Sequence, residues 1–329
     1  VDIDLTRLPM DDPQTLHLLT TGDTVGCFQA EESGMQETFK LIGIDRFDDL
    51  MTAVAMYRPG PLDYIPVLAD RKKHPSKIQY AHPDMEKITK RTYGIIAFQE
   101  QVMQVFMILA DLTATDGYKF MKICAKKLPG IEKWEEVFKR GCKSRGILEQ
   151  VAANIWKDMV KFAGYAFNAS HSCAYAYECW KTAYLKSHYM VDFMCARLSV
   201  EAKRRKFDQV ERYEKDLRRH GIKILPPDLN KSKLTYTKVG EKEVLSPLIL
   251  KDVGDKAAED IVNNQPYKGN DIIYTFAMKV ESANSKVFEA LVNAGLFGKV
   301  NKAKALRDFE MIKKDKNKLK GRQHGKIFE

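Results

Sequence analysis

No stretch of this 329-residue sequence is apolar for anything near the roughly 20 residues that span a bilayer, so no membrane-crossing helix is expected. CxxC pairs are missing too. The six cysteines, Cys27, Cys124, Cys142, Cys173, Cys179 and Cys195, lie far apart without clustered histidines, which argues against a zinc site and for reduced thiols. There is no GxxxxGK loop to cradle phosphates, no nucleophile elbow and no HExxH pair, so P-loop NTPases, serine hydrolases and zinc peptidases are poor matches. Carboxylates at metal-binding spacing are equally scarce. Asp2 and Asp4 form one D-x-D pair, but no third carboxylate on a recognisable strand joins them, so no metal ligand and no catalytic residue is assigned. Val1 opens an acidic, proline-containing segment rather than a basic leader; no secretion signal is expected, and a soluble, cytoplasmic protein is.

At this length two or more domains are expected, since single cores stop growing at roughly 250 residues. The net charge of +10 is unevenly spread. Lys299 to Glu329 holds 11 Lys or Arg against 4 Asp or Glu, so most of the excess lies in a tail. Lys119 to Arg145 holds a second cluster, 9 basic residues against 3 acidic ones. A polyanion partner fits both clusters, and a solvated, Lys-rich helix face is the plain alternative.

The pattern along the chain is that of a mainly α fold with small β elements (α+β), a multi-helix region followed by a smaller, different one. Pro9, Asp11, Asp12 and Pro13 read as a connector that caps a helix near Gln14 to Leu19, and Asp48 to Met56 is a short apolar helix stopped by the Arg58-Pro59-Gly60-Pro61 turn. Ile95, Phe98, Val102, Val105, Phe106 and Leu109 recur at spacings of three and four, which predicts one amphipathic helix from Tyr93 to Ala110. A charged helix is predicted from Glu201 to His220, capped by Gly221, then a stiff linker from Ile224 to Asp228. Leu234 to Val239 alternates and pairs with Glu243 to Leu245 as a hairpin. Lys251 to Ile261 has the hydrophobe-turn-Gly-helix form of a helix-hairpin-helix element, whose hairpin amides and following helix N-terminus bind DNA phosphates without reading sequence. The tail beyond Lys299 is expected to be helical or disordered.

The most informative stretch is Lys161 to Tyr177, KFAGYAFNASHSCAYAY. Asn168, Ser170, His171 and Ser172 cannot all be buried without partners, and a phosphate or a base edge would supply them. A long helix through Trp180, Lys181 and Tyr184 to His188 follows, so its first amides are expected to face an anion held by the loop. Lys122 and Lys126 share one helix face, suiting a triphosphate, although surface lysines often have no such role. Tyr175 can stack on a base, while the stripe of Tyr177, Trp180, Tyr184 and His188 reads as core packing.

These residues together resemble the replicative, C-family bacterial DNA polymerases, the DNA polymerase III alpha subunits. Arg58-Pro59-Gly60-Pro61-Leu62, then Thr92-Tyr93-Gly94-Ile95-Ile96 with Phe98-Gln99-Glu100-Gln101-Val102-Met103, then Phe162 to Asn168 with Ser170-His171-Ser172 and Ala174-Tyr175-Ala176 are similar to successive family motifs in the same order. Thr182 to Lys186, the Ile224 to Asp228 linker and Val287 to Phe297 extend the likeness over roughly residues 1 to 300. The resemblance implies that residues 1–20 are the end of a palm or a connector, 21–225 fingers that bind nucleotide and template, 226–300 a hairpin plus helix-hairpin-helix DNA-binding domain, and 301–329 a basic tail.

Carried over by that resemblance, Lys122, Lys126 and Lys127 neutralise the triphosphate of an incoming dNTP. Asn168, Ser170 and His171 line its pocket, with Tyr93, Gln99 and Arg58 nearby, and Lys251, Val253, Gly254 and Lys256 contact duplex DNA. The family's metal-binding palm aspartates lie upstream of the matched region and have no counterpart here. Mg2+ is therefore expected to be held by a palm on an upstream segment or separate chain, and this chain alone to be inactive. The implied partners are primer-template DNA, dNTP, an N-terminal polymerase fragment carrying the palm, and a sliding clamp with other replisome proteins; no membrane is implied. Departures occur at Met121, Ala125 and Ala169, where the family has a basic residue, Gly or Ser, and Lys, at Asp252, where it has Gly, and at Glu32, where it has Ser. Such drift fits a divergent, phage-encoded member, in host cytoplasm, better than a typical cellular one. The alternative reading is a non-catalytic DNA-binding remnant of the polymerase fold.

Overall fold

Asp12 starts the first helix as its sequence predicts: the carboxylate accepts from Thr15 N at 2.8 Å and Pro13 occupies the first turn of α1 (Pro13–Thr20). The computed structural model describes residues 3–126, 128–269 and 271–325, and the chain divides into two units, residues 2–188 and 189–329. In the first unit α1 is followed by α2 (Ser33–Ile42), α3 (Phe47–Met56), α4 (Ile65–Lys73), α5 (Pro83–Thr89), α6 (Gln99–Ala110), α7 (Ala114–Lys126), α8 (Ile131–Ser144) and α9 (Glu149–Ala163). Then comes α10 (Ala169–Lys203), whose helical dihedrals break at Tyr189, with φ −134° and ψ 44°.

Two cores build this unit. Leu19, Phe39, Ile42 and Leu50 close around Trp180 of α10, whose indole donates to the Pro9 carbonyl at 3.1 Å. Of the stripe expected to pack, Trp180 is core and Tyr184 lies half-buried against it, whereas Tyr177 donates to Leu5 O at 3.0 Å and His188 bonds to Asp12 at 2.9 Å. The second core joins α6 to α9 through Phe106, Phe120, Phe138 and Trp156, with Phe120 and Trp156 rings 4.9 Å apart. Here α8 crosses α6 at Gly141, where any Cβ would lie 2.0 Å from the Ala110 carbonyl oxygen, so only glycine permits the approach. All six cysteines are free, and burial pushes the thiols of Cys124, Cys142 and Cys195 up to about 11 each, which leaves them inert at neutral pH.

The second unit carries α11 (Phe207–Arg219), β1 (Lys223–Leu225), β2 (Thr237–Gly240), β3 (Glu243–Leu245), α12 (Asp255–Asn263), α13 (Ile272–Lys279), α14 (Ser285–Asn293) and α15 (Lys302–Gly325). The predicted hairpin is β2 antiparallel to β3, with a register shift between Lys238 and Gly240. Ile224 lies not in a linker but in β1, which pairs parallel to β3 and gives the order β1-β3-β2. The helices pack on Phe276, Phe288 and Phe309, the last two stacked at 4.2 Å with planes 2° apart. Ala305 and Phe309 thus anchor the start of the basic tail in this core.

Two helix predictions need correction. The segment from Tyr93 is helical only from Gln99: Tyr93 has φ 53° and Gly94 φ 76°, and the next residues run extended because they bond to a distant loop. The charged helix from Glu201 is also two pieces, interrupted at Arg205, φ 58°, between α10 and α11. Among the described residues no helix is long and apolar enough to cross a membrane.

Candidate nucleotide and nucleic-acid interface

The polar loop before α10 is held from two sides. Phe167 N donates to Ala97 O at 3.0 Å and Gln99 N donates to Phe167 O at 2.9 Å, a one-residue parallel bridge that explains why the chain before α6 is extended. From the other side Arg58 lies 4.3 Å over the Phe167 ring, donates to Ala55 O at 2.7 Å and donates to the Tyr165 carbonyl. The turn that aims it needs Gly60, at φ 100°, because a Cβ there would fall 2.5 Å from the Tyr165 ring. Arg58 is therefore committed within the chain, as a brace for the loop.

Gln101 is the residue that sequence reasoning passed over. Its Oε1 accepts from Ala97 N at 2.8 Å and Phe98 N at 3.0 Å, and its Nε2 donates to Ile88 O at 3.1 Å and Thr92 Oγ1 at 2.8 Å. The available signal was a Gln at the third position of a helix, where a side chain bonds back to the cap. Reading one continuous helix from Tyr93 hid it. Gln101→Ala strips partners from four buried or backbone groups at roughly 1–3 kcal/mol each, partly recovered by relaxation. The expected result in urea unfolding is a loss of about 2–4 kcal/mol, and a loss under about 1 kcal/mol would mean that solvent reaches these groups.

At the head of α10 the anion expected from outside is already supplied from within. Glu100 accepts from Ala169 N at 2.9 Å and from Asn168 Nδ2 at 3.0 Å, while Asn168 Oδ1 accepts from His171 N at 2.8 Å. Ser172 is fully buried and donates to Met51 O at 2.6 Å, so it serves the core and not a ligand. Asn168, Ser170 and His171 are exposed, with the imidazole 4.2 Å from the Tyr175 ring and 5.2 Å from that of Phe167.

Lys122 and Lys126 are exposed on α7, the former 4.6 Å over the Tyr118 ring. The last turns of α7 lie beside the start of the loop, where a Cβ on Gly164 would be 3.5 Å from Cys124 O. Lys127 lies outside the described residues. Met121, one of the departures, is buried. Tyr93 is half-buried against the same core as Phe167 and Ala169, its hydroxyl donating to Asp49 Oδ1 at 2.8 Å; burial and then that bond push the phenol well above its ordinary pKa and keep it a donor. Gln99 enters the site through its backbone.

In the second unit Gly254 caps α12, and Lys251, Gly254 and Lys256 are exposed. Val253 is fully buried and its amide is taken by Leu250 O at 3.1 Å, so it shapes the hairpin from inside. Arg205 holds the same turn, donating to Leu250 O at 2.8 Å, to Val253 O at 2.7 Å and to the Asp255 carboxylate. Asp252 pairs with Lys286 at 3.3 Å, an exposed ion pair.

The carboxylates of Asp4, Glu100 and Asp49 do not fit a divalent metal site. Asp4 accepts from Thr6 N and Oγ1 and pairs with Arg7, Glu100 is filled by two donors, Asp49 is buried against Lys72, and Asp2 lies outside the described residues.

Residues 1–146 match the bacterial DNA polymerase III alpha subunit finger domain, and residues 221–306 match a helix-hairpin-helix motif. The chain is 38% identical over 304 residues to the DNA polymerase III subunit alpha of Aquifex aeolicus, covering 90% of this chain and 26% of that protein. It is 38% identical over 306 residues to that of Thermus aquaticus, 90% of this chain and 25% of that protein, and 33% identical over 298 residues to that of Bacillus subtilis, 90% and 26%. The chain spans about a quarter of the length of these relatives.

Proposed function

We propose that this chain, which is related to the finger and helix-hairpin-helix regions of bacterial DNA polymerase III alpha subunits, binds the incoming dNTP and primer-template DNA during template-directed DNA synthesis. The observation that carries the reading is the braced loop: Arg58, Glu100 and the Phe98–Phe167 bridge hold it while Asn168, Ser170 and His171 stay exposed, and the helix end carrying Lys122 and Lys126 lies beside its start. Residues 21–225 take the finger role and 226–300 the grip on duplex, where Lys251 and Lys256 flank the hairpin. Mg2+ is held by palm aspartates supplied by other sequence, and a sliding clamp and further replisome proteins are partners of the whole assembly.

A second reading, a DNA-binding remnant without nucleotide selection, is favoured by one feature: Glu100 places a carboxylate at the head of α10, where Ala169 brings no cation. Kinetics separate the two. In a polymerase assembled from this chain and a palm-bearing segment, Lys122→Ala and His171→Ala each raise the nucleotide KM about tenfold, as expected for the loss of one charge-assisted bond. Unchanged KM and kcat in both variants would reject the pocket. Duplex binding that falls steeply with salt but never tightens with dNTP would support the remnant.

A further inference from the structure

Glu100 reaches across from α6 to a second helix and uses both of its oxygens there. One accepts from Asn168 Nδ2 at 3.0 Å, the other from Ala169 N at 2.9 Å. A carboxylate only accepts, so the Asn168 amide must turn its nitrogen towards Glu100, which aims its oxygen at His171 N, 2.8 Å away. The side-chain orientation of Asn168 is therefore dictated by Glu100, and the first turn of α10 by Asn168. His171, within that first turn, then stands with its ring between Phe167 and Tyr175. The same contact has an electrostatic consequence. The charge of Glu100 is spent on the N-terminal end of α10, where the helix dipole favours it, so the carboxylate need not face the phosphates of a ligand in the neighbouring loop.

We propose that Glu100 is a positioning residue of the nucleotide pocket, acting through Asn168 on the placement of His171; this rests on the pocket reading above. In the assembled polymerase Glu100→Ala is expected to raise the nucleotide KM about fivefold with kcat changed less than about twofold, since the side chain orders the pocket without touching the reacting atoms. The decisive measurement is the cycle with His171→Ala. If Glu100 works through His171, the double variant has the KM of His171→Ala alone. A Glu100 effect that multiplies undiminished on top of His171→Ala overturns the inference, as does Glu100→Ala with the parent KM. Should the alanine variant fail to fold, Glu100→Gln keeps the volume and one acceptor. Its KM is expected between those of the parent and His171→Ala, and a value equal to the parent overturns the inference. His171→Ala without effect would instead reject the pocket itself, which keeps the two failures distinct.

Discussion

Purified alone and given primed template, Mg2+ and all four dNTPs, this chain extends no primer, and extension appears when a polypeptide carrying the palm aspartates is added. The expected difference is at least about a thousandfold, equivalent to roughly 4 kcal/mol of activation free energy. The reason lies in the side chains. In the proposed pocket Lys122, Lys126, Asn168 and His171 offer only cations and hydrogen bonds to a triphosphate, whereas nucleotidyl transfer to a primer hydroxyl with pyrophosphate leaving calls for carboxylates that converge on metal ions. Three acids of the first unit are already occupied: Asp4 by Thr6 and Arg7, Glu100 by Asn168 and Ala169, and Asp49 by Lys72 and Tyr93. Freeing Glu100 would dismantle the head of α10, and freeing Asp49 would open a buried ion pair. Primer extension by the isolated chain at a rate near that of the assembled enzyme would overturn this assignment.

Asp49→Ala is expected to cost the fold about 3–5 kcal/mol. The Asp49 side chain is fully inaccessible and pairs with Lys72 at 2.6 Å, itself 11% exposed, and with Arg46 at 3.2 Å. Tyr93 adds a third donor at 2.8 Å. Removing the carboxylate leaves Lys72 with Asp45, 3.0 Å away but exposed, as its remaining anion, and leaves the Tyr93 hydroxyl without its acceptor. The ammonium must then be desolvated with less compensation. Removing both charges is milder, because no unpaired ion stays buried. Asp49→Ala with Lys72→Met is therefore expected to be more stable than Asp49→Ala alone, as read by denaturant unfolding of the full chain. A double variant that loses the sum of the two single effects would show that the pair is not coupled.

Much of the helical scaffold was legible because its signals are local. Asp12 before Pro13, the apolar spacing from Asp48 to Met56, and the hairpin of Thr237–Gly240 with Glu243–Leu245 follow from capping, periodicity and alternation within a few residues. The errors share one cause. From Tyr93 to Phe98 the apolar spacing is as good for a helix as that of α6, but the backbone is drawn out straight by Phe167, some seventy residues away in sequence, and pinned by Gln101. Ile224 became a strand for the same reason, because β3 offers it a partner.

The loop before α10 divides in the same way. Its residue types alone marked it as a place where polar groups gather, and the order of motifs marked the family, since both are properties of a linear string. Which of those groups remain available was decided by folding. Ser172 turned inward to Met51 O and Arg58 was spent on Tyr165 and Phe167, while Asn168 and His171 were left exposed, with Glu100 as their support. A hydrogen-bonding group is satisfied by whichever partner three-dimensional packing brings within about 3 Å, and that partner is seldom a neighbour in sequence.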